Sequence, residues 1–148
     1  MMKSQSSIPH KHAGGCHCGN IRVVIELPNA PSETALRACG CSFCRTHGVR
    51  VVSDSSGAFK MWAQDWSSVT RYRFGTGTAD FMLCTRCGTY VAAVAQTSSG
   101  LKAVANVNSL NDRALFTAEP AIMNFDGETV EQRLARHAAT WMPAILHE

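Results

Sequence analysis

Seven cysteines in three short clusters constrain this 148-residue chain more than any other feature. They read Cys16-x-Cys18, Cys39-x-Cys41-x-x-Cys44 and Cys84-x-x-Cys87. Met1 to Gly15 carries lysines, serines, histidines and a proline but no apolar run, so it does not read as a secretory signal. An odd number of cysteines without such a signal fits a cytoplasmic protein whose thiols stay reduced and take metal in preference to pairing.

Zinc takes four ligands in a tetrahedron, with thiolate sulfurs about 2.3 Å away. Cys84-Thr85-Arg86-Cys87-Gly88 has the form of a zinc knuckle, in which the turn aims both sulfurs at one point and glycine accepts the backbone conformation required. Cys16-His17-Cys18-Gly19 is shorter, but in an extended segment residues i and i+2 share a side, so both sulfurs can reach one ion. Seven thiolates divide into four plus three. Four saturate an ion; three leave a coordination position for an outside atom, as in catalytic zinc sites. Spacing does not say which four belong together. On spacing alone, Cys41-x-x-Cys44 with Cys84-x-x-Cys87 makes a zinc ribbon and leaves Cys16, Cys18 and Cys39 for the second ion.

Of the residues, 45% are hydrophobic and 17% charged, enough to bury a core without metal. The net charge of +3 comes from scattered arginines and lysines with no run of like charge, which argues against nucleic acid as a partner. No segment approaches the ~20 apolar residues of a membrane span. Residues 1–13 read as a flexible tail with His10 and His12 solvated, and residues 14–148 as a single domain.

Within that domain, Asn20 to Leu27 alternates as a strand. Further strand-like segments recur at Val49–Ser53, Ala58–Trp62, Val69–Phe74, Phe81–Cys84, Tyr90–Gln96 and Leu101–Val107, separated by Gly, Ser, Thr and Asp. Ser42 to His47 reads as one helical turn stopped by Gly48, and Thr129 to Trp141 as a packing helix ended by Pro143. The expectation is a mainly β fold of two packed sheets with a short C-terminal helix.

Three stretches carry a resemblance. Gly14-Gly15-Cys16-His17-Cys18-Gly19-Asn20-Ile21-Arg22, Cys39-Gly40-Cys41-Ser42-Phe43-Cys44-Arg45 and Leu83-Cys84-Thr85-Arg86-Cys87-Gly88-Thr89 are similar to the cysteine motifs of the GFA family. That family comprises relatives of the glutathione-dependent formaldehyde-activating enzyme and of centromere protein V. Tyr72 to Ala79, Asn106 to Leu110 and Phe125-Asp126-Gly127 resemble its later segments. The resemblance implies an Mss4-like fold of small packed β-sheets around two zinc ions. It implies that Cys16, Cys18, Cys84 and Cys87 bind a structural zinc. It implies that Cys39, Cys41 and Cys44 bind a second, catalytic zinc whose remaining position meets the thiol of glutathione. Phe81 and Tyr90 depart from residues common in the family, and Glu128-Thr129-Val130-Glu131 stands where a tryptophan is common; all three departures lie beside the second zinc or its pocket.

The activity so implied is that of a carbon–sulfur lyase of the S-(hydroxymethyl)glutathione synthase type, with a small-molecule thiol and an aldehyde as partners. Arg45, next to Cys44, is the candidate contact for the carboxylates of glutathione; Arg50, Arg71 and Arg73 are weaker candidates, and His47 could reach the second site. The alternative is a non-catalytic zinc module that binds a thiol or a protein partner. A homodimer is left open.

Overall fold

The alternation of Ile21, Val23, Ile25 and Leu27 with Arg22, Val24 and Glu26 gives strand β2 (Ile21–Leu27), whose odd-numbered residues are buried. The computed structural model describes residues 9–148. β2 pairs antiparallel with β1 (His10–Gly15) on one side and with β5 (Ala58–Ala63) on the other. A meander of β6 (Val69–Tyr72), β7 (Asp80–Cys84), β8 (Tyr90–Thr97) and β9 (Gly100–Asn106) follows. β9 carries β8 on one edge. On its other edge it holds β4 (Val51–Val52) and the start of β11 (Met142–His147), while β3 (Arg37–Cys39) lies between β4 and β10 (Ala121–Met123).

The expected two packed sheets are instead one branched, hydrogen-bonded network of 11 strands. The joining piece is β11. Met142 and Pro143 pair with β9, and Ala144 to His147 run parallel to β5. Pro143 ends α2 (Val130–Thr140) as expected, but the chain goes straight on as a strand instead of ending in a loop.

The expected tail is also corrected in part. Residues 1–8 lie outside the described residues, but His10 to Gly15 form β1. His12 is buried, with Nδ1 2.6 Å from the Asp112 carboxylate and its ring against Phe116. Its partners come from a hundred residues away, which no local pattern reveals.

Two apolar clusters fill the molecule. Ile21, Val23, Ile25, Leu27, Phe59, Met61, Met82 and Met142 belong to the larger. Cys44, Val49, Val51, Tyr90, Ala93, Val104 and Trp141 form the smaller. β8 is buried from Tyr90 to Ala95 because its two faces serve both clusters, which explains a continuous apolar run in place of alternation. α2 begins at a capping box: the Thr129 hydroxyl accepts from Gln132 N–H, and the Gln132 side chain accepts from Thr129 N–H. No helix among the described residues is long and apolar enough to cross a membrane.

Candidate metal centres and an adjoining cavity

The first cluster gathers Cys16 and Cys18 from the β1–β2 turn with Cys84 and Cys87 from the β7–β8 turn. Its four Sγ atoms lie within 4.8 Å of one another, with Cys16–Cys18 at 3.7 Å and Cys18–Cys84 at 3.6 Å. A tetrahedron with 2.3 Å metal–sulfur bonds has edges of about 3.8 Å, so the spacing fits zinc. Backbone at both turns supports the sulfurs. Ile21 N–H donates to Cys16 Sγ at 3.2 Å, the Thr89 hydroxyl lies 3.3 Å from Cys87 Sγ, and Gly88 takes a φ of 79° that suits glycine.

The second cluster is local. Cys39 ends β3, Cys41 is the N-cap of α1 (Ser42–His47), and Cys44 is buried within that helix. Their three sulfurs also lie within 4.8 Å of one another. Cys44 N–H donates to Cys41 Sγ at 3.4 Å, and Gly40 N–H donates to Met123 O at 2.9 Å, which ties the turn to β10. Gly48, in the left-handed region at φ 59°, ends the helix.

Proton affinities show the strain that a cation would relieve. A hydrogen bond from Cys44 lowers the Cys39 thiol to about 5 against the opposing effect of burial. The same bond to Cys39, together with burial, pushes Cys44 up. Burial chiefly pushes Cys41 up. In the first cluster burial raises Cys84 to about 11; Cys87 falls to about 5, because bonds from Thr89, Cys18 and Cys84 outweigh its burial. In each cluster one thiol is thus held low while a neighbour is pushed up. A central divalent cation lets every sulfur ionise at once, so both donor sets fit zinc.

The second cluster faces a cavity of about 120 Å³. Cys39, Cys41 and Cys44 form one wall; Phe74, Phe81, Tyr90 and Trp141 form the apolar remainder; Arg37, Arg133, Arg136 and His137 supply polar groups. Burial and the nearby sulfurs hold the Tyr90 hydroxyl well above its ordinary range. Phe81 and Tyr90, two of the departures noted in the sequence, both stand in this wall. Phe43, in α1, stacks on Tyr72 and Phe74 and meets Phe81 and Tyr90 edge-on.

The structure brings the cysteines together as the resemblance implied, and does not bring Cys41 and Cys44 to Cys84 and Cys87 as a ribbon would. Arg45 is exposed outside the cavity and donates from Nε to Gly40 O at 3.0 Å. His47 sits 3.1 Å from Phe43 O through Nδ1 and is not in the cavity wall. Arg50 is held by Asn108 Oδ1 and Phe116 O, Arg71 by Glu148 and Asp80, and Arg73 by Asp80. Sequence reasoning missed Arg37, Arg133, Arg136 and His137. The one available signal was the i, i+3, i+4 spacing of the last three, which sets them on one face of α2.

The family model for the glutathione-dependent formaldehyde-activating enzyme matches residues 11–125. The chain belongs to the GFA family. A solved structure of a Rhodobacter sphaeroides protein is similar to it at 31% identity and a TM-score of 0.54, over 77% of this chain and 100% of that one. Within this GFA protein the matched stretch contains all seven cysteines and ends before α2.

Proposed function

We infer that the chain is a zinc-dependent carbon–sulfur lyase of the GFA type, joining a thiol, glutathione or a similar one, to formaldehyde or a related small electrophile. The reading is carried by the contrast between the clusters: four sulfurs saturate one ion, whereas three sulfurs bordering a cavity leave room for an outside sulfur. Cys39, Cys41 and Cys44 would hold the second zinc, which when bound supplies positive charge that favours the thiolate form of an incoming thiol.

In the reaction a carbon–sulfur bond forms, the carbonyl π bond breaks, and the oxygen takes up the proton that the thiol gave up. The chain's own contribution is to hold the reactants side by side, which replaces a two-body encounter. Phe74, Phe81, Tyr90 and Trp141 exclude water around the carbonyl carbon. Arg45, fixed beside Cys41 by the Gly40 carbonyl, keeps its remaining N–H groups for a glutathione carboxylate outside the cavity.

The test is the rate of hydroxymethyl thioether formation from glutathione and formaldehyde, followed by NMR exchange with the zinc-loaded protein against buffer. Acceleration that disappears in Cys41→Ala supports the reading. No acceleration with both zinc ions present refutes it. A second reading is favoured by the all-thiolate donor set, which puts net negative charge on the ion and weakens it as an electrophile. On that reading the site binds a thiol without turnover, and glutathione binds while the rate stays at the buffer value.

A further inference from the structure

We propose that the cavity beside Cys39, Cys41 and Cys44 binds a small molecule bearing a carboxylate, and that Arg37 is its anchor. The proposal rests on reading this cavity as the reactant site. Three arginines line the cavity, and two are committed. Arg136 makes two bonds to Glu128, at 2.9 and 3.0 Å, and lies 3.5 Å over the Phe125 ring. Arg133 donates to Phe125 O at 2.9 Å and stands 3.4 Å from Glu128. Arg37 lines the same space, and among the described residues its side chain has no hydrogen bond and no carboxylate partner. One acidic side chain therefore serves two of the three cations and leaves the third without a carboxylate partner; the negative charge beside it is that of the Cys39 sulfur. A half-buried guanidinium offers five N–H donors in a planar fork, and a carboxylate is the group that fits it in pairs.

Placement strengthens the case. β3 is held on both edges, with Arg37 opposite Val51 of β4 and Ala121 of β10, so its backbone is braced. In a strand, residues i and i+2 share a face and lie about 6.6 Å apart, so Arg37 and Cys39 look into one space. A carboxylate on Arg37 therefore sets the far end of a short molecule at the three sulfurs. The apolar wall of Phe74, Phe81, Tyr90 and Trp141 suits a hydrocarbon or aromatic body.

Size narrows the class. A water needs about 10–15 Å³ of such space, so the cavity takes roughly ten non-hydrogen atoms, about half of a whole glutathione. Arg133, Arg136, His137 and Trp141 come from beyond residue 125, where the family match ends, so this wall is a feature of the chain outside the matched stretch.

The carboxylate can arrive on the thiol or on the electrophile, and two probe pairs separate the sources: 3-mercaptopropionate against its methyl ester, and glyoxylate against its methyl ester. Binding is read by ¹⁵N chemical-shift titration of the zinc-loaded full chain. The acid is expected to bind at least about tenfold tighter than the ester in one pair or both, the size of a charge-assisted hydrogen bond. Arg37→Gln should bring that preference below about twofold with zinc content retained, and Arg37→Lys should restore part of it. Equal affinity for acid and ester in both pairs, or a preference that survives Arg37→Gln, overturns the proposal. Loss of zinc from Arg37→Gln also overturns it, because the arginine would then serve as a counter-charge for the sulfurs. Failure of the lyase reading registers separately, as an unaccelerated thioether reaction, and leaves the acid-to-ester ratio as it stands.

Discussion

Removing one sulfur from each cluster should cost very different amounts of stability, and chain topology sets the difference. Cys18→Ala and Cys41→Ala are the informative pair. Cys18 is exposed and Cys41 half-buried, so neither substitution empties a packed site. The first cluster clamps segments far apart in the chain, with Cys18 and Cys84 separated by 66 residues. Treated as a cross-link, closing a loop of that length is worth about 4 kcal/mol at 25 °C. Cys39 to Cys44 closes a loop of about five residues, worth about 2 kcal/mol on the same relation. At about 3 °C per kcal/mol for a domain of this size, Cys18→Ala should lower Tm by up to about 12 °C and Cys41→Ala by about 6 °C. Calorimetry gives the shifts, and mass spectrometry under native conditions counts the zinc. Both variants are expected to keep one ion, the first in the local cluster and the second in the clamp. Equal losses, or a larger loss in Cys41→Ala, would refute the reasoning.

Three further outcomes follow from the packing. In Gly14→Ala the new Cβ would sit 2.2 Å from Ser109 O and 2.7 Å from Leu110 Cα, both backbone atoms; the strain should lower stability by about 1–3 kcal/mol, read as a fall in the denaturant midpoint. Thr129→Ala removes the hydroxyl half of the capping box and should cost about 1 kcal/mol, with loss of helical signal in circular dichroism. Burial, helped by Arg136 and Arg133, lowers the His137 imidazole to about 4, so folding favours its neutral form. Its contribution is full above about pH 6.5 and is lost as pH falls toward 4, because there the unfolded chain binds the extra proton. Between pH 7 and 5 the unsubstituted chain should therefore lose about 1–2 kcal/mol more than His137→Asn, after allowance for screening at the cavity. Parallel pH curves would remove His137 from this account.

Long strands with a repeating pattern were legible in the sequence. β2, β5, β8 and β9 fall within a residue or two of their expected limits, because each carries its own run of apolar residues bounded by turn formers. The cysteine clusters announced that metal chemistry was at stake, but their partition was not in the spacing. A Cys-x-x-Cys knuckle can pair with any other, and what decides is that the β1–β2 turn lies beside the β7–β8 turn. β3 and β10 were invisible for a related reason. Each has three residues and finds its parallel partner some eighty positions away, so nothing local marks it. β11 was hidden by Pro143, whose helix-ending role is real but says nothing about what comes next.

On the proposed reading, the two clusters draw on the chain in ways that match their separate roles. A site that only holds the fold together gains from ligands far apart in sequence, since the longer the loop it closes, the more it restricts the unfolded chain. A site that must admit and release an outside atom gains from the opposite arrangement. Cys39, Cys41 and Cys44 sit on one short turn whose backbone is already fixed by β10, by the α1 hydrogen bonds and by Gly48. Exchange at that ion therefore need not loosen the core, and the cavity wall contributed by Tyr90 and Trp141 rests on β8 and the end of α2 instead of on the metal. On the proposed reading, the three-sulfur site is free to change what it holds because the four-sulfur site does not have to.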